Sequence, residues 1–171
     1  MLRDFAIVAT AYGARLSDLK ASGFAGMFSL VTGVVLSFSL GAIIAVLFGY
    51  DDPISITTIG AGSVTFVVGP VTGSAIGASS EVIALSIAVG LVKSILVMTV
   101  TPIVAKKIGL DNPRSAIVFG GLMGTNSGVA AGLAAVDPKL VPYGAMTATF
   151  YTALGCLIVP SVLFILIDLL F

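Results

Sequence analysis

Histidine is absent from the 171 residues, and cysteine occurs once. Without imidazole there is no Ser-His-Asp catalysis, no histidine metal site and no imidazole pH switch. A lone Cys156 forms neither an intramolecular disulfide nor a cysteine zinc site, and its apolar surroundings make it a small packing residue. Charge is equally scarce: 8 basic and 8 acidic side chains make up 9% of the chain and sum to zero. That leaves no electrostatic footprint for nucleic acid, and no charged skin for a soluble fold, where about 25% of residues are charged. No secretory signal is expected either. Arg3 and Asp4 precede only a short apolar run, 5–11, and no small-residue cleavage pattern follows it. A membrane carboxylate dyad would need two acids, and only Asp168 lies inside an apolar run. No catalytic constellation remains, so the chain does not read as an enzyme.

What is present is apolar mass. Hydrophobic residues are 58% of the chain, and the mean hydropathy is +1.19. The fold class this predicts is an all-α integral membrane protein forming a single membrane domain, 1–171. Crossing ~30 Å of hydrocarbon takes roughly 20 helical residues. Residues 24–48 carry no charge and predict a spanning helix, closed by Gly49, Asp51, Asp52 and Pro53. Residues 81–105 and 141–171 predict two more, the first with Lys93 at its middle and the second interrupted by Pro160. Residues 1–23 predict an amphipathic or partial helix.

Two further stretches, 54–78 and 116–136, are apolar but odd. Half of the 20 glycines fall within 60–77 and 120–132. Gly69-Pro70 interrupts a helix because proline lacks the N–H and clashes with the preceding turn. Gly124-Thr125-Asn126-Ser127-Gly128 is poor helix material as well. Non-helical backbone at membrane depth survives only where protein or water satisfies it. These stretches therefore predict broken or re-entrant hairpins, although glycines at four-residue spacing also serve ordinary close helix packing.

Charge supports the hairpins. If both stretches return to the side they enter, the seven basic residues other than Lys93 fall on one face. If every segment crosses, they divide four against three, which gives no orientation. The pattern also repeats at an offset of 58 positions, where Gly62 matches Gly120, Lys93 matches Tyr151 and Ser94 matches Thr152. Each unit is a hairpin followed by a span, and the two units have opposite orientations. Broken segments in the two halves of such a repeat point to a substrate or ion site near the midplane.

The candidate site residues follow from their chemistry. Substrate-binding candidates are Thr72, Ser74, Lys93, Thr125, Asn126 and Ser127; ion-binding candidates are Thr65, Gly69, Gly124 and Asn126. Hydroxyls and freed carbonyls suit a hard monovalent cation, and helix N-termini suit a carboxylate. A lysine at helix centre costs ~2.5–3.5 kcal/mol on insertion scales. Lys93 therefore needs a reason: a counter-charge for an anion, a structural pair with a carboxylate, or a water-filled cavity. With Ser86, Gly90, Ser94 and Thr101 it lies roughly along one helix face, a polar stripe directed inward.

Several long strings carry a resemblance. They are 57–62, Val68-Gly69-Pro70-Val71-Thr72-Gly73 and its continuation to 80, Gly109-Leu110-Asp111-Asn112-Pro113-Arg114, 119–125 and 140–150. Together they resemble the malonate transporter MadM subunit over essentially the whole chain. The resemblance implies a sodium-coupled malonate importer, multi-pass in the bacterial inner membrane, with sodium as coupling ion and no other cofactor. It also implies a small hydrophobic partner resembling MadL, besides membrane lipid; homo-oligomers stay open. Members of that family are longer at the N-terminus, so the chain resembles a C-terminal portion. Two competing readings stand beside it: a truncated structural or assembly subunit without transport activity of its own, and a passive channel for small anions.

Overall fold

The computed structural model describes residues 23–171. The helix expected over 1–23, and with it Arg3, Arg15 and Lys20, lies outside the described residues. Among the described residues every regular element is helical. In chain order they are α1 (Gly23–Leu47), α2 (Pro53–Val64), α3 (Val68–Ile76), α4 (Ser80–Val104), α5 (Pro113–Met123), α6 (Asn126–Val136), a short 3₁₀ turn (Pro138–Leu140), α7 (Val141–Ile158), a π-helical turn (Val159–Leu163) and α8 (Phe164–Asp168). Three continuous helices are long and apolar enough to cross a membrane: Gly23–Leu47, Ser80–Val104 and Pro138–Asp168. The third includes the π turn, which sits at Pro160, where a proline disturbs the i→i−4 ladder.

The remaining four helices are too short to span. At ~1.5 Å per residue, the 12-residue α2 is about 18 Å long and the 9-residue α3 about 14 Å. Local chemistry sets their ends. Asp52 accepts a hydrogen bond from the Ser55 N–H at 2.7 Å and Pro53 opens α2. Asn112 and Ser115 form a capping box before Pro113. This starts α5 three residues earlier than the apolar run beginning at 116. Gly124 ends α5 with φ +68, a conformation that glycine adopts without steric cost.

Close backbone approaches give the direction of each element. A Cβ on Gly69 would meet Gly62, and one on Gly73 would meet Thr58, so α3 runs back along α2. Ser63 packs on Ser37 and Gly60 on Gly41, so α2 also runs antiparallel to α1. The second pair is splayed rather than closed. Gly144 of α7 touches Gly120 and Ala116 of α5 on one side and Val129 and Leu133 of α6 on the other. Gly124 lies against Tyr151, and Asn126 bonds Thr149. Thus α5 runs parallel to α7 and α6 antiparallel to it, with the N-terminal part of α7 wedged between them.

One contact recurs at a fixed interval. A Cβ on Gly62 would come within 2.3 Å of the Ser86 carbonyl oxygen, and one on Gly120 within 2.2 Å of the Gly144 carbonyl oxygen. Both residues of the second pair stand 58 positions after those of the first, as Pro160 stands 58 after Pro102. The unit of short pair plus long helix is thus built twice, and the two units run in opposite directions. One end of the molecule gathers the loops 48–52 and 77–79 with the end of α8. The other gathers the loops 105–112 and 137–140. Among the described residues, Lys106, Lys107, Arg114 and Lys139 all lie at this second end, while Asp51, Asp52, Glu81 and Asp168 lie at the first.

Candidate functional site

The two breaks meet the same stretch of α4. At the first, Thr65 leaves the helix with extended backbone, φ −154 and ψ 158. Its hydroxyl accepts the Val67 and Val68 N–H groups at 3.2 and 3.1 Å, which caps the start of α3. With the Val68 N–H so engaged, the carbonyl of Val64 at the end of α2 is released from its place in the helical ladder. The turn residue Phe66 packs its backbone on Gly90 of α4, where a Cβ would come within 2.3 Å of the Phe66 nitrogen. At the second break, buried Thr125 shares a short hydrogen bond with Ser94, one turn after Gly90.

Lys93 occupies the space between. Its ammonium donates to Ser37 Oγ at 2.9 Å, to the released Val64 carbonyl at 3.0 Å and to Tyr151 Oη at 3.4 Å. It also lies 5.3 Å from the centre of the Tyr151 ring, within cation–π range. Tyr151 is fully buried, and its hydroxyl donates to the Gly33 carbonyl of α1 at 3.1 Å. Its ring covers Gly124, where any Cβ would approach within 2.1 Å of the ring. A chain of contacts therefore runs from one break to the other: Val64, Lys93, Tyr151, Gly124. All three hydrogen-bond partners of Lys93 are neutral oxygens, so no carboxylate offsets its charge through these bonds.

The sequence candidates are distributed unevenly. Lys93, Thr65, Gly124, Thr125 and Asn126 lie at or beside the breaks, and Asn126 Nδ2 donates to Thr149 Oγ1 at 2.9 Å. Gly69 is a packing position against Ser86. Thr72 is fully buried in α3, its hydroxyl without a partner among the described residues; Thr57 of α2 is in the same state. Ser74 and Ser127 are exposed. The stripe on α4 holds, since Ser86, Gly90, Ser94 and Thr101 are all buried. It faces helix packing: Gly62 and Gly69 on Ser86, Gly128 on Ser94, Gly132 on Thr101. Ser37, the Val64 carbonyl, Thr149 and Tyr151 are not among the site residues that the sequence suggests. For Tyr151 the signal existed, because it is the repeat counterpart of Lys93.

The model of one protein family, the malonate/sodium symporter MadM subunit, matches residues 1–171. The chain belongs to the MadM family. No curated protein and no solved structure gives a significant match to it. Membership agrees with the three long apolar helices, and this MadM chain is a multi-pass membrane protein. The family is one of transporter subunits.

Proposed function

We propose that the chain carries the transport site of a secondary transporter that brings malonate, a short dicarboxylate, into the cell together with sodium. In this reading α2–α3 and α5–α6 are re-entrant hairpins that enter the bilayer from opposite faces and end near its middle. The end bearing Lys106, Lys107, Arg114 and Lys139 faces the cytoplasm, following the positive-inside rule. The observation that carries the proposal is the chain of contacts between the two breaks. A lysine at mid-span, bonded only to neutral oxygens, joins one interrupted pair to the other. Ionisable groups so placed mark substrate and ion pathways, and interrupted helices in two halves of a repeat mark the binding region.

The two breaks divide the chemistry. At the first, the C-terminal end of α2 offers a carbonyl and a partial negative charge, suited to a cation. At the second, α6 begins without a side-chain cap, so the N–H groups of Asn126, Ser127 and Gly128 are free for a carboxylate. Lys93 supplies the balancing positive charge for a dianion. A small hydrophobic partner resembling MadL completes the transporter in this reading, covering part of the apolar surface that α1 and α4 present.

The test is uptake of radiolabelled malonate into membrane vesicles holding the full subunit assembly. Uptake should be saturable and should require an inward sodium gradient. Equal uptake with potassium in place of sodium would overturn the coupling, and uptake linear in malonate concentration would indicate a channel.

A further inference from the structure

The oxygens around the Lys93 ammonium form a cation site in their own right. Ser37 Oγ comes from α1, the Val64 carbonyl from the end of α2, and Tyr151 Oη from α7, and all three converge on one positively charged atom. Each is set up to accept. The Tyr151 hydroxyl donates its proton to the Gly33 carbonyl, which turns its lone pairs toward the ammonium. The Val64 carbonyl has lost its helical donor, because Thr65 takes the Val68 N–H. Ser63 fixes the surroundings by bonding the carbonyls of Ser37 and Gly60. Neutral hydroxyls and a released carbonyl at a helix C-terminus are the donor set that membrane transporters offer to sodium. They are not the set that would best hold a permanent lysine, since a carboxylate would bind an ammonium more strongly.

We propose that Lys93 is a tethered stand-in for sodium: the ammonium fills this three-oxygen site in the empty protein, and sodium takes its place when a carboxylate draws the ammonium away. The inference rests on the transport reading and supplies its coupling. Charge at the site is conserved by the exchange, one monovalent cation for another. Sodium cannot bind tightly while the ammonium is seated, and the ammonium leaves only when an anion receives it. Without substrate the ion site is blocked; with substrate it is open and lined. The two ligands thus favour each other's binding, and the linkage is reciprocal.

The experiment is sodium binding to the purified full chain in nanodiscs, measured by equilibrium dialysis with ²²Na in the absence of malonate. Lys93→Met removes the tethered cation and keeps the apolar stem. It should bind sodium at least tenfold more tightly than the parent protein. Adding Ser37→Ala to Lys93→Met should abolish that gain, because one of the three oxygens is gone. Sodium affinity in Lys93→Met no better than in the parent, in protein that is monodisperse with unchanged helix content, would overturn the proposal. Lys93→Leu is made in parallel; failure of both variants to fold would identify Lys93 as a structural clamp and would overturn it too. Because this measurement contains no malonate, a failure of the malonate reading alone would leave the gain in sodium affinity intact.

Discussion

Lys93 and Tyr151 hold equivalent positions in two halves of the chain, 58 residues apart, and their side chains meet. The ammonium lies 3.4 Å from the tyrosine oxygen and 5.3 Å from the ring centre. Because the two units run in opposite directions, equivalent positions near the middle of each long helix are brought to one depth. The pair therefore marks where the two units join, and its neighbours are the breaks of both short-helix pairs.

Tyr151→Phe tests how much of this junction the hydroxyl holds. The ring stays, so Gly124 remains covered, but the Gly33 carbonyl loses its donor and Lys93 one acceptor. Interhelical hydrogen bonds in membranes contribute about 0.6 kcal/mol on average and up to ~1.7. A loss of about 1 kcal/mol in reversible unfolding in mixed micelles is expected, together with weakened sodium-dependent uptake. Unchanged sodium dependence would mean that the hydroxyl serves packing alone.

The recurring glycine contact yields a paired prediction. Gly62→Ala and Gly120→Ala each drive a methyl into a facing backbone carbonyl, at 2.3 and 2.2 Å. Backbone cannot step aside as a flexible side chain can, so α2 must part from α4, or α5 from α7. Overpacking of this kind costs about 1–3 kcal/mol. Both variants should unfold at lower denaturant than the parent and by similar amounts, whereas Ser127→Ala, at an exposed position, should change little.

Much of this arrangement is legible in the residues, and the remainder is hidden for identifiable reasons. Apolar length marks the three long helices, and the α4 face of Ser86, Gly90, Ser94 and Thr101 follows from its spacing. Gly69-Pro70 and the 124–128 run announce interrupted helix, and the second interruption falls within its run, at Gly124-Thr125, whereas the first does not fall at its proline. The first break lies at 65–67, ahead of the proline, because Thr65 caps the new helix and Pro70 is accommodated in its first turn. Ser37 carries no signal at all, being one of three serines in an apolar helix. The Val64 carbonyl is backbone and has no letter of its own; only the geometry around Thr65 shows that it is free. Tyr151 is the instructive miss, since its match to Lys93 was visible, and the opposite directions of the two units turn a match in sequence into a contact in space.

Ser94 and Thr125 offer a second junction, independent of charge. Their hydroxyls share one buried hydrogen bond between the middle of α4 and the second break. Ser94→Ala and Thr125→Val remove the partners with little change of shape. In a double-mutant cycle the coupling energy should fall between about 0.5 and 1.7 kcal/mol. A coupling near zero would mean that the break at Gly124-Thr125 is held by the Tyr151 ring and by helix packing, and that the hydroxyl pair adds nothing to it.

The orientation of the short-helix pairs is open to a direct chemical test. In a Cys156→Ala background, single cysteines at Asp52, Glu81, Lys107 and Lys139 report which face each loop reaches. Asp52 precedes α2 and Glu81 follows α3; Lys107 precedes α5 and Lys139 follows α6. A pair that crosses the bilayer puts its two flanking loops on opposite faces, whereas a re-entrant pair keeps them together. All four side chains are exposed, so an impermeant maleimide will reach each of them from its own side. In right-side-out vesicles, cysteines at 52 and 81 should label together, and those at 107 and 139 only after the membrane is opened. Labelling of 52 without 81 would show that α2 and α3 cross the bilayer, and would place the Lys93 oxygen site away from the point where two hairpins meet.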